Sequence, residues 1–184
     1  MVIDQKSLLE ELSNSVRQHL EFGKSLNMKD PRLIYKTDSN TWNALECLEH
    51  LNYYGDFYIP EIRKKMDSKG NSNSTVFYTG WLGNKFAQGM LPKDGIKKIK
   101  TFKSKNPIYR GMDRWEVIPT FIKQQEQMLN LLGIAGNKDL SKIKTAITLP
   151  LLKLRLGDTF RFVIYHNERH IMQAKNMISQ SPGC

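Results

Sequence analysis

Two of the chain's four histidines fall inside the stretch His166-Asn167-Glu168-Arg169-His170. On an α-helix each residue advances by about 100°, so positions four apart lie nearly above one another and both imidazoles can reach a single ion. Val163, Gln173 and Met177 share that face, which turns it toward an interior. A zinc-protease reading fails on order. In H-E-x-x-H the glutamate beside the first histidine is the general base, and Asn167 holds that place. Glu168 sits about 200° round the helix from each histidine and points away from them. The inverted order H-x-x-E-H is absent too, because Arg169 stands where its glutamate belongs.

A third candidate is His50, in the stretch ECLEHLNYY. Three neutral imidazoles match the ligand count of catalytic metal sites that keep one position open for water or substrate. A divalent ion on neutral donors keeps its charge. It therefore lowers the pKa of a bound water to about 7, and holds a thiol, whose ordinary pKa is about 8.5, as the thiolate. Spacing alone leaves other readings open: an H-x-x-x-H pair also serves as solvated or hydrogen-bonded helix surface, and His50 as a satisfied core histidine. His19 has no partner in the sequence and receives no role. Tyr53 and Tyr54, one turn beyond His50, either line a pocket or pack. Cys47 either approaches the ion or is a buried, inert thiol. Asn167, Glu168 and Arg169 read as surface groups or supports for the ligands, and Gln173 as a group that orients a ligand or bridges helices. No side chain is identifiable as general base. Histidine ligation predicts that metal affinity falls as pH drops through about 6.5.

Converging histidines need stiff elements to carry them. Leu8, Leu9, Leu12, Val16 and Leu20 predict a helix over 5–28, ended by Asp30-Pro31. A second helix is expected from Thr41, with Ser39, Asn40 and Thr41 as caps. Trp42, Leu45, Leu48, Leu51 and Phe57 form its buried stripe, and Pro60 is a bend. Residues 67–76 read as a flexible break. The connection up to Met112 is too long to be structureless, so FYTGWLGNKFAQGM is expected to pack on the body through Phe77, Trp81, Leu82 and Phe86. A third helix over 115–132, with Pro119 near its start and Gly133 and Gly136 closing it, precedes a second irregular stretch. The last helix is expected to open on Asp158 as cap and run to about 178, leaving 179–184 as a frayed tail. Four amphipathic helices without a confident strand series predict an all-α fold, a four-helix bundle with long irregular connections, in one domain over 1–184.

Composition sets limits. The chain of 184 residues has 40% hydrophobic and 25% charged residues, ordinary for a globular domain. Two cysteines, Cys47 and Cys184, are too few for a disulfide scaffold and suit a reduced, cytoplasmic setting. No apolar run follows a basic head, so no leader is expected; no stretch suits a bilayer span. The net charge of +10 is concentrated between Lys93 and Arg110, where six lysines and one arginine face only Asp94. With only Phe102 and Tyr109 interleaved, that stretch reads as a solvated loop or anion-friendly rim rather than a nucleic-acid surface.

The stretch TWNALECLEHLNYY resembles the second helix of the DinB-like superfamily, in which a tryptophan precedes an E-x-x-x-H-L pattern. LGDTFRFVIYHNERHIMQA is similar to its last helix, where H-x-x-x-H is followed by Q-A. Helix order, the long basic connection and total length also resemble the family, over nearly the whole chain. The resemblance implies up-down-down-up connectivity, often a homodimer, and His50, His166 and His170 as ligands of a divalent ion, commonly nickel or zinc. It further implies a metal-dependent hydrolase, or a transferase or isomerase using a low-molecular-weight thiol cosubstrate on a small-molecule substrate. The alternative is a non-catalytic, metal-stabilised dimeric binding module whose basic loop meets an acidic partner.

Overall fold

The Asp4 carboxylate opens the first helix by accepting the Ser7 backbone N–H at 2.7 Å, satisfying one of the donors a helix N-terminus leaves free. Helix α1 (Gln5–Ser25) then buries Leu8, Leu12, Val16 and Leu20 along one stripe. It stops three residues short of the expected end. Leu26 turns extended, and the Asn27 side chain takes the Lys29 N–H, a local bond that competes with further helix. The structure, a computed structural model, describes residues 1–91, 101 and 103–182. The basic stretch from Lys93 to Lys100, with Phe102 and Cys184, lies outside the described residues.

Helix α2 (Ala44–Asp67) starts later than Thr41, because Asn43 and Glu46 form a reciprocal capping box. It runs on through Gly55 and Pro60 to Asp67. Helix α3 (Trp81–Met90) lies in the region expected only to pack. Phe77 is fully buried and Leu82 and Phe86 are partly so, but Trp81 is 80% exposed and does not anchor it. After the single turn α4 (Pro107–Arg110), helix α5 (Arg114–Ala135) begins from Asp113 and contains both Pro119 and Gly133; Gly136 is its cap. The last helix, α6 (Leu156–Gln180), begins two residues before Asp158. Two short antiparallel ribbons, unforeseen because three residues show no usable alternation, tie the loops. β1 (Val2–Asp4) pairs with β2 (Val76–Tyr78), and β3 (Lys144–Ala146) with β4 (Lys153–Arg155).

Asp158 is therefore no cap of its own helix. It is a fully buried carboxylate that accepts from the Gly80 N–H (2.8 Å), Thr79 Oγ1 and Arg161 Nη1 (3.2 Å). Gly80 precedes α3 and offers no side-chain cap, so Asp158 supplies the acceptor from another helix. Gly83 faces the same carboxyl group so closely that an added Cβ would collide with it.

The long helices α1 and α2 each pack on both α5 and α6, and α3 lies against α6. Two apolar clusters result. One gathers Leu12, Tyr58, Ile62, Leu131 and Phe160; the other gathers Leu33, Leu45, Leu48, Phe121 and Ile171. Along α6 the first cluster ends at Tyr165 and the second starts at Ile171, so His166 and His170 occupy the seam between them. No helix among the described residues is long and apolar enough to cross a membrane.

Candidate metal centre

The seam brings His50 from α2 together with His166 and His170 from α6. One ligand atom from each ring lies within 4.8 Å of the other two. Nε2 of His50 and Nε2 of His166 are 3.2 Å apart. Two imidazole nitrogens on one tetrahedral ion, each about 2.05 Å from it, would be about 3.3 Å apart. His50 donates from Nδ1 to the Lys105 carbonyl at 2.7 Å, and His170 from Nδ1 to Gln173 Oε1 at 3.1 Å. Both rings therefore keep Nε2 bare, and that of His50 faces His166. With His50 Nε2 bare, a proton or a cation has to lie between it and the facing nitrogen of His166. Nδ1 of His166 is buried without a hydrogen-bond partner, so without a cation this ring carries its proton on Nε2 and donates it to His50.

Burial makes all three rings poor bases. It pushes His50 down to about 4, against the opposing help of the Lys105 carbonyl, and His170 to about 3, with His50 adding to the effect. His166 falls well below the ordinary imidazole value for the same reason, with His170 and His50 contributing. Three neutral nitrogen donors that need no deprotonation at neutral pH fit a divalent ion of borderline softness. Aromatic rings wall the cluster. Trp42 lies 4.8 Å from His50 and 5.7 Å from His170, Tyr54 lies 4.4 Å from His166, and Phe162 stacks on His166 at 6.1 Å. His50 and His166 are buried; only His170 keeps an edge in solvent.

The neighbours separate into those that serve the cluster and those that do not. Gln173 orients His170, and Tyr54 packs against two of the rings. Tyr53 turns away, donating to the Gly111 carbonyl at 3.2 Å under the Arg110 guanidinium, and burial pushes its phenol up to about 12. Cys47 is fully buried outside the cluster, and burial drives its thiol far up, so it is no ligand. Glu168 points away, as its position on the helix requires, and accepts from His19 Nε2 at 2.7 Å. That bond gives His19 a partner 149 residues distant, which no local pattern reveals. Asn167 is buried against Gln125.

Sequence reasoning missed the Lys105 carbonyl, a backbone group with no residue-type signal. A wide groove of about 770 Å³ lies elsewhere, between α1 and the end of α5. Its charges, Asp4 and Glu10 against Lys6 and Arg17, balance, and among the described residues no metal-ligand set lies in it. The group of ligand atoms that could hold a metal ion lies, among the described residues, in the histidine seam. A family model described as the DinB superfamily matches residues 9–174. No curated protein and no solved structure matches the chain.

Proposed function

The chain belongs to the DinB superfamily, and from that premise we propose that it is a metal-dependent enzyme activating water or a low-molecular-weight thiol against a small electrophilic substrate, as hydrolase or thiol transferase. His50, His166 and His170 would hold one divalent ion, nickel or zinc. The convergence of three neutral ring nitrogens at one point carries this reading. When bound, the ion supplies a Lewis acid that lowers the pKa of a water or thiol beside it by several units.

The protein's own groups do the rest. The Lys105 carbonyl and Gln173 fix two tautomers, so two lone pairs converge without reorganisation. Trp42, Tyr54 and Phe162 exclude water from the flanks, which strengthens electrostatic effects inside. The partly exposed edge of His170 leaves an approach for substrate. Burial raises the Tyr54 phenol, so it remains a hydroxyl at neutral pH and serves as donor rather than base.

Elemental analysis of purified protein and of His50→Ala, with a thiol-conjugation assay on both, tests the reading. Near-stoichiometric metal in the wild type, lost with His50, is expected together with turnover that follows metal content. Unchanged metal in His50→Ala removes that ring from the ligand set; metal without turnover leaves the alternative, an ion that only ties α2 to α6 in a binding module. The up-down-down-up order of the four long helices, a single domain, a homodimer and a cytoplasmic setting belong to the same proposal.

A further inference from the structure

Lys105 touches α2 at two points one helical turn apart. Its backbone carbonyl accepts from His50 Nδ1 at 2.7 Å, and its own ammonium donates to the backbone carbonyl of Tyr53 at 2.6 Å. Residues 50 and 53 share a face of α2, so one lysine straddles the turn that carries the ligand. The ammonium also lies 5.8 Å from the Tyr54 ring, which in turn packs 4.9 Å from His50. The next residue adds a third point: Asn106 Oδ1 accepts from Trp42 Nε1 at 3.2 Å, and Trp42 packs on His50 and His170.

A backbone carbonyl can face an imidazole only if its segment is held there. The segment 103–106 contains a single short turn and buries no side chain of its own. Asn106, through Trp42, and Arg110, which donates to the Ser104 carbonyl at 3.3 Å, hold its flanks, but neither side-chain contact is made to residue 105 itself. The long side chain of the same residue supplies the missing restraint, because placing Nζ on Tyr53 sets the position of the peptide group six bonds away. We propose that Lys105 is a positioning residue for His50: its ammonium clamps residue 105 to α2, so that its carbonyl holds His50 as the Nδ1–H tautomer with Nε2 bare toward the other two rings. The inference rests on the metal reading only for its consequence; the clamp and the tautomer belong to the metal-free protein.

Supporting groups behind a metal-bound histidine change affinity by about 10–100-fold when lost. Lys105→Met keeps the apolar stem and removes the donor. Lys103→Met removes a neighbouring exposed cation, whose ammonium lies 6.0 Å from the Tyr109 ring rather than on α2, and leaves both Lys105 contacts in place, so it separates positioning from loss of positive charge. Long-range ¹H–¹⁵N correlation of the metal-free proteins reads the His50 tautomer directly, and zinc competition reads affinity. In the wild type and Lys103→Met, His50 carries its proton on Nδ1. In Lys105→Met, Nε2–H becomes populated and zinc affinity drops by about 10–100-fold. An unchanged His50 tautomer in Lys105→Met overturns the clamp, whatever the affinity. Equal losses in Lys105→Met and Lys103→Met overturn it as well, since charge would then be the cause. A wild type that binds no zinc, yet shows the tautomer switch on mutation, sinks the metal reading and leaves the clamp standing.

Discussion

Asp158→Ala is expected to cost about 3–5 kcal/mol, the range for breaking a buried ion pair from one side. The carboxylate is fully buried and the Arg161 side chain is only 3% exposed. Without it, the guanidinium keeps Asn84 Oδ1 at 3.0 Å and Thr79 Oγ1 at 3.3 Å, neutral acceptors that do not cancel its charge. The Gly80 N–H loses its acceptor, an orphaned buried donor worth about 1–3 kcal/mol and already part of that range. A void opens beside Gly83, which has no side chain to fill it. For a chain of this length each kcal/mol moves Tm by about 2–4 °C, so a fall of about 6–20 °C follows. Urea unfolding should show a lower midpoint with an unchanged slope. The double variant Asp158→Ala, Arg161→Met removes both charges and should lose less than the two single losses combined, by about 1–3 kcal/mol of coupling. A loss below about 1 kcal/mol for the single variant, or simple additivity in the double, would falsify the assignment of a paired, desolvated charge.

The imidazole cluster gives the metal-free protein an acid-side weakness. His50, His166 and His170 all have folded values below the unfolded value of about 6.5, so the unfolded chain binds more protons between those limits. Their stabilising contribution is present above about pH 6.5 and is lost as pH falls through the folded values, about 4 for His50 and about 3 for His170, by up to about 1.4 kcal/mol per pH unit for each ring. Urea midpoints at pH 6.5 and 5.0 check this, and equal midpoints count against it. Burial in the metal-free protein also moves proton competition below pH 6.5, so metal should persist to lower pH than for ordinary histidines; a dialysis series checks it. Cys47, buried and held as the thiol, should resist iodoacetamide at pH 8 in a Cys184→Ser background until urea unfolds the chain. Rapid labelling of folded protein would contradict its burial.

The histidine face and the four long helices were legible because both depend on local rules. Apolar spacing placed α1, α2, α5 and α6 to within a few residues, and the angular position of Glu168 correctly sent it away from the cluster. The Asn43-Ala44-Leu45-Glu46 box was also present in the sequence, and would have corrected the start of α2. Other features depend on distant partners. An aspartate near a helix start serves equally as cap or buried ion, and only the arrival of Thr79 and Gly80 decided between them for Asp158. Trp81 had the composition of an anchor, but its position on α3 turns it to solvent. The Lys105 carbonyl, lacking any signature in residue type, was beyond reach of pattern.

The pairing of first helix with last bears on how this protein is made. Glu11 accepts from Tyr165 and Glu168 from His19 across 154 and 149 residues, so neither contact can form while α6 is still being translated. Two of the three histidines are on that late segment as well. The nascent α1 must wait on the ribosome with its apolar stripe uncovered on that side, a period in which chaperone capture competes with folding.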